Sequence, residues 1–92
     1  MIVRISTEGQ YKLDSSHLDK LNELDNRIVN VVAIGDEKQF EQLYSEMVSL
    51  VRQQGKPVKY EELLESQIIL PPPDITIEDA KELFKGSGLI PD

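Results

Sequence analysis

Two groups of carboxylates are the side chains in this sequence best suited to chemistry, as ligands of a hard cation. They are Glu61, Glu62 and Glu65 in the first group, and Asp74, Glu78, Asp79 and Glu82 in the second. A calcium loop places oxygen ligands at alternate positions around a central glycine, and neither group has that spacing. Nothing nearby would raise the pKa of one acid above another for acid–base catalysis. Both groups are therefore expected to be solvated acidic surfaces.

The other residues that could do chemistry lack the partner residues that each would need. His17 is the only histidine, and the chain has no cysteine, so the sequence offers neither a nucleophilic dyad nor a Cys/His zinc site. Gly86-Ser87-Gly88 lacks the lysine of a phosphate-binding loop. The sequence thus predicts a protein that is not an enzyme, with no catalytic residues, no metal site and no cofactor.

The charge balance restricts the partners. The 92 residues include 17 acidic and 10 basic side chains, for a net charge of -7. A field of that sign repels nucleic acid and anionic lipid, whereas a basic protein surface is attracted. No signal peptide is recognisable and no run approaches the roughly 20 apolar residues that span a bilayer. We therefore expect a cytoplasmic protein that neither binds nucleic acid nor inserts into a membrane.

The elements that must carry any binding surface begin with two amphipathic helices between Asp14 and about Gln54. The apolar positions recur at helical spacing and are Leu18, Leu21, Leu24, Ile28, Val31 and Val32 in the first helix, and Phe40, Leu43, Tyr44, Met47, Leu50 and Val51 in the second. Gly35 is predicted to end the first helix in a left-handed conformation, and Asp36 to cap the second with Gln39 in a variant of the capping box. So short a join predicts an antiparallel pair.

The polar faces of these helices are expected to lie in water. Those positions are Asp19, Glu23, Asp25 and Asn26 in the first helix, and Glu37, Lys38, Glu41, Gln42, Ser45, Glu46 and Arg52 in the second. Val29, Ile34 and Val48 lie beside the apolar stripes and are predicted to mark the side that the rest of the chain covers.

Short strands and one more helix complete the prediction. Residues 1–5 and 10–13 alternate around a turn at Thr7-Glu8-Gly9, which indicates a β-hairpin, and residues 67–70 indicate a third short strand. Residues 55–60 read as a loop and 61–65 as one helical turn. Thr76 caps a last helix that Gly86 ends. The expected fold is one α+β domain over residues 1–92, with the order β-β-α-α-β-α.

Two further segments are candidate binding sites. Pro71, Pro72 and Pro73 must be extended, and are predicted to be a stiff connector or, alternatively, a ligand for an aromatic-lined groove. The tail contains Leu89 and Ile90, which are too apolar for a free end, so we expect it to fold back or to dock on a partner.

With these elements placed, the whole chain resembles PspAA, the PspA-associated protein family found with the phage-shock membrane-stress system. The motifs that carry the resemblance are Met1-Ile2-Val3-Arg4-Ile5, Gly9-Gln10-Tyr11, Leu13-Asp14, Leu21-Asn22-Glu23-Leu24-Asp25-Asn26, Gly35-Asp36-Glu37 with Phe40, Ile69-Leu70-Pro71-Pro72-Pro73-Asp74 and Gly88-Leu89-Ile90-Pro91. Ser66-Gln67 departs from the Ser-Asp expected before the third strand. The resemblance implies an accessory protein that partners PspA, a coiled-coil protein that coats stressed inner membranes. It implies no catalytic residue.

The first hypothesis is therefore an adaptor or regulator of a PspA-like coiled-coil protein in envelope stress, either cytoplasmic or held at the inner membrane through its partner. Its acidic surface suits a partly basic coiled coil, and binding should weaken with salt and with charge reversal at Asp19, Glu23, Glu41 and Glu46. Salt-independent binding would instead indicate an apolar contact through Leu89 and Ile90. The rival hypotheses are a self-associating domain that forms a homodimer and, less favoured, a small hydrolase or metal-binding enzyme.

Overall fold

A computed structural model describes residues 1–59, 64–86 and 88–90 of the chain. The elements are β1 Ile2–Ile5, β2 Gly9–Lys12, α1 Leu18–Ile34, α2 Glu37–Gln54, β3 Lys56–Pro57, β4 Ile68–Leu70 and α3 Ile77–Leu83. The predicted α+β class and the order β-β-α-α-β-α are confirmed, with β3 as an addition. In the predicted helical turn at 61–65, residues 61–63 lie outside the described residues, and residues 64 and 65 are not helical.

The sheet has the strand order β3-β2-β1-β4. β1 pairs antiparallel with β2 and parallel with β4, with Val3 opposite Ile68 and Ile5 opposite Leu70. β3 pairs antiparallel with β2, and sequence analysis missed it because two residues, one of them Pro57, show no strand periodicity. A proline is tolerated there because β3 is an edge strand, where an amide that cannot donate costs little.

The two helices of the hairpin end and begin at the predicted capping residues. Gly35 ends α1 with φ of 76°, and the Asp36 carboxyl accepts from the Gln39 backbone amide at 3.2 Å and from its side-chain amide at 2.7 Å. Both predicted caps are confirmed. At the other end of α1, the Asp14 carboxyl accepts from the Ser16 amide at 2.8 Å and starts a 3-10 turn, Ser15–His17, before α1 begins at Leu18.

The core lies between the helical hairpin and the inner face of the sheet. Val3, Ile5 and Leu70 point inward and are fully buried with the apolar stripes of both helices. Val48 is buried as predicted, but the prediction for Ile34 is wrong, since that side chain is 76% exposed. Ile34 lies about 200° around the helix from the buried Val32, so it points away from the core.

Three aromatic rings join the hairpin to α3. Phe40 stacks on Tyr44 with ring centroids 5.8 Å apart, and Phe84 meets both rings edge-on at 6.2 and 5.9 Å. α3 ends at Leu83, earlier than the predicted end at Gly86, and Phe84 follows as its C-cap residue, buried against the two other rings. The cluster therefore fixes α3 on the hairpin.

An ion pair ties the β1–β2 turn to α2. The Arg52 guanidinium donates to both carboxyl oxygens of Glu8, with Nε at 3.1 Å from Oε1 and 2.9 Å from Oε2, and the Tyr11 hydroxyl donates to Oε2 at 2.7 Å. The hydrogen bonds from Arg52 and then from Tyr11 lower the pKa of Glu8 from 4.5 to about 2. The carboxylate is thus better stabilised in the folded chain than in the unfolded chain.

Truncation of core side chains should test the packing. Leu24 and Phe40 are 0% and 1% exposed, so Leu24→Ala or Phe40→Ala should each lower the free energy of unfolding by about 2–5 kcal/mol, measured by urea denaturation. Ile34→Ala is the control, and its effect should stay within about 0.5 kcal/mol because Ile34 is exposed. Equal unfolding midpoints for all three variants would contradict the packing.

The Glu8 contact should give stability a defined pH dependence. Because the pKa is lowered in the folded state, the stabilisation is complete above pH 4.5 and is lost as the pH falls toward about 2. The pair lies at the surface, so Glu8→Gln should cost about 1 kcal/mol or less at neutral pH and nothing near pH 2. Urea denaturation between pH 2 and 7 checks this, with Glu46→Gln as the control. A cost for Glu8→Gln that does not vary with pH would contradict the assignment.

Candidate partner-binding surface

The acidic candidates on α1 share one face. Asp19 and Glu23 are four residues apart and both are exposed, so their side chains lie above one another on the helix surface. Lys20 approaches Glu23 at 3.7 Å, but both side chains are about half exposed, and such a surface pair contributes little. The carboxylates at this end of α1 are therefore open to a partner.

The acidic candidates on α2 do not share a face. Glu41 and Glu46 are exposed and five residues apart, which separates them by about 140° around the helix axis. Neither side chain forms an ion pair within the described part of the chain. The structure therefore places the predicted acidic residues on several sides of the hairpin and does not gather them into one patch.

The proline segment is mainly a structural connector. Pro71 is buried and its carbonyl oxygen accepts a hydrogen bond from the Tyr44 hydroxyl, whereas Pro72 is half-buried and Pro73 exposed. Burial raises the pKa of Tyr44, so the hydroxyl stays a donor. Only the last two prolines present surface to a partner.

Pro73 and Glu41 meet at a small groove beside α2. The cavity has a volume of about 120 Å³ and is lined by Phe40, Glu41, Tyr44, Ser45, Val48, Arg52, Pro73 and Ile75. We call it the α2 groove. It joins two of the candidates that sequence analysis named separately, and its size suits one side chain of a partner protein rather than a cofactor.

The apolar tail folds back onto α1, one of the two outcomes expected from the sequence. Ile90 is 1% exposed and Leu89 is half-buried against the core. Their backbone amides donate to the two carboxyl oxygens of Asp25, at 3.1 Å from Leu89 and 3.0 Å from Ile90. In this conformation Ile90 offers no surface to a partner, and Leu89 offers only part of its side chain.

Asp25 is the polar residue that sequence reasoning misplaced. The sequence pattern predicts that Asp25 lies on the solvated face of α1, but the side chain is 0% exposed. The signal was present in the spacing, since Asp25 follows Leu21 by four residues and precedes Ile28 by three, which places it in the apolar stripe. A carboxyl group in such a stripe needs buried donors, and the tail amides supply them.

A second and larger groove lies between α1 and α3. Its volume is about 420 Å³, and it is lined by Val29, Val32, Ala33, Lys81, Phe84, Lys85 and Gly86. We call it the α1–α3 groove. Sequence analysis named none of these residues as candidates, because the groove exists only where α3 docks beside the C-terminal half of α1.

His17, the only histidine, is half-buried at the start of α1 and makes no side-chain cap hydrogen bond. Within residues 1–59, 64–86 and 88–90, no three His, Cys, Asp or Glu side chains come together as a metal site would require. In the same residues, no helix combines the length and the apolar character needed to cross a membrane.

The contact between the Asp25 carboxyl and the tail can be tested by substitutions on each side of it. Asp25→Asn puts an amide donor against a tail amide, so the free energy of unfolding should fall by about 1–3 kcal/mol. Gly88→Ala should also destabilise, because a Cβ there would lie 2.4 Å from the Asp25 carboxyl, at a φ of 83°.

Gly86→Ala is the matched control for Gly88→Ala. Its φ of 64° is also left-handed, but a Cβ at Gly86 meets no atom within 4 Å. Thermal denaturation should therefore show a larger loss for Gly88→Ala than for Gly86→Ala. Equal losses would mean that the close approach to Asp25 contributes nothing.

Comparison with known proteins places the chain in a family. The sequence model of the PspAA family, described as PspA-Associated protein, matches residues 1–92, which is the whole chain. Neither the curated proteins nor the solved structures gave a match. Because the match covers every element of the fold, the chain belongs to the PspAA family of PspA-associated proteins.

Proposed function

We propose that this protein is a non-enzymatic adaptor or regulator that binds a PspA-like coiled-coil protein in the envelope stress response. The observation that carries the proposal is the match of the PspA-associated family to the whole chain. A single histidine and the absence of cysteine leave little for catalysis and support a binding role.

The surface charge suits such a partner. Asp19, Glu23, Glu41 and Glu46 are exposed on the helical hairpin of a chain with a net charge of -7. Long coiled coils carry charged side chains along their outer helix faces, and a basic stretch among them would be attracted to this hairpin. The same stretch would be attracted to anionic lipid, so the adaptor would compete with the membrane for its partner.

The proposed location follows from the same charges. An acidic domain is repelled by a bare anionic bilayer, so we place it in the cytoplasm or, through its partner, at the inner membrane. Nucleic acid is disfavoured as a partner for the same reason.

Charge reversal should separate the acidic faces. The double variants Asp19→Lys/Glu23→Lys and Glu41→Lys/Glu46→Lys change the net charge by the same amount. The variant at the contact face should bind the purified PspA-like protein of the same organism about tenfold more weakly. That loss corresponds to about 1.4 kcal/mol of binding free energy. Wild-type affinity should fall with added salt. Isothermal titration calorimetry at low and high salt measures both effects.

The matched control is Glu65→Lys/Glu78→Lys, which makes the same charge change at exposed positions that lie outside both helices of the hairpin and line neither groove. Equal weakening by all three variants would mean that only net charge matters. Strong binding that neither salt nor any variant weakens would contradict the acidic contact and indicate an apolar one. Absence of binding by the wild-type protein would overturn the proposed function.

A self-associating domain is the second candidate. β4 lies at one end of the sheet, and Ile69 on that strand is 57% exposed. An edge strand with an exposed apolar side chain can pair with a second copy. Sedimentation equilibrium of the protein alone would then show a dimer, and Ile69→Lys would return it to a monomer.

A further inference from the structure

The α1–α3 groove has an apolar floor and a basic rim. Val32 and Phe84 line it and are each only 2% exposed. Ala33, Lys81 and Lys85 are exposed around them. Of the described residues that line the groove, none is acidic, although acids outnumber bases by 17 to 10 in the chain as a whole. The groove therefore has the opposite local charge to the molecule.

We propose that the α1–α3 groove is the docking site for an amphipathic helix that carries carboxylates along one edge of its apolar stripe. The proposal rests on the proposed function, since it assigns this helix to the PspA-like partner. Lys81 on α3 and Lys85, two residues past the end of α3, both line the groove and would face carboxylates along one edge of the incoming helix.

The shape of the groove favours a helix as the occupant. Its walls are the C-terminal half of α1 and the end of α3, and a third helix laid between two helices can fit its side-chain ridges into the space between them. The groove has a volume of about 420 Å³, which is large enough for several apolar side chains. It is too open to surround one small ligand on all sides.

The two lysines are available to such a partner. Lys85 approaches Glu82 at 3.8 Å, but the two side chains are 71% and 82% exposed, so the pair is weak and easily exchanged. Within the described residues Lys81 forms no ion pair. Both ammonium groups can therefore meet carboxylates of the partner without first losing a strong contact.

The test compares two charge-matched variants in calorimetric titrations with the purified PspA-like protein of the same organism. Lys81→Glu/Lys85→Glu should lower the affinity at least about tenfold, because it places carboxylates against carboxylates. Lys56→Glu/Lys59→Glu makes the same charge change at exposed positions that lie outside the helical hairpin and line neither groove, and its affinity should stay within about twofold of wild type.

A second pair of variants separates charge from bulk at one site. Ala33→Glu and Ala33→Gln have side chains of equal size at an exposed helix position, so any steric effect is common to both. Ala33→Glu should bind the partner several-fold more weakly than Ala33→Gln because only the carboxylate repels an acidic helix edge. Thermal melts of all variants check that each is folded.

The outcomes distinguish the two proposals. If the wild-type protein binds and the groove variants match their controls, the groove proposal is overturned and the proposed function stands. If the wild-type protein does not bind, the proposed function fails and the groove assignment fails with it. If Lys81→Glu/Lys85→Glu instead dissociates a homodimer, the occupant is a second copy and the proposal is wrong.

Discussion

The two-residue join at Gly35 and Asp36 forces α1 and α2 together, and the rest of the chain packs against the pair that they form. Gly35 adopts the left-handed conformation that ends α1, and Asp36 caps α2 directly after it. The pair covers the inner face of the sheet. The proline segment lies along α2, and α3 lies along α1. Each of these contacts leaves one groove, so both grooves are products of the same hairpin.

Two buried polar side chains hold the irregular segments in place. The Tyr44 hydroxyl donates to the Pro71 carbonyl, and the Asp25 carboxyl accepts from the amides of Leu89 and Ile90. Among the described residues, no buried side-chain nitrogen or oxygen lacks a hydrogen-bond partner. Segments without regular structure are therefore fixed by specific bonds. Preformed grooves cost less conformational entropy when a partner binds than surfaces that must first become ordered.

The surface of this small domain has regions of opposite charge with separate roles in the proposed complex. The exposed acids of the hairpin suit a basic stretch of a coiled coil, and Lys81 and Lys85 suit an acidic edge. Two contacts of opposite sign on one partner define its orientation, because reversing the partner would bring like charges together. An adaptor that must recognise one coiled coil among many would gain specificity from this arrangement.

The sequence by itself determined the elements whose signals are local. The spacing of apolar residues defined both long helices, and the capping residues Asp36 and Thr76 located helix starts that the structure confirms. Alternation around Thr7-Glu8-Gly9 defined the β-hairpin. These features depend on residues a few positions apart, so one chain segment contains the whole signal.

Only the tertiary structure decided the features that depend on distant residues. Asp25 is buried because the tail supplies its hydrogen-bond donors. These are the amides of Leu89 and Ile90, which follow Asp25 by 64 and 65 residues in the sequence. β3 exists because β2 is beside it, and the α1–α3 groove exists because Phe84 packs into the aromatic cluster. Local spacing cannot specify such contacts, since their free energy arises only when separate segments are brought together in the folded chain.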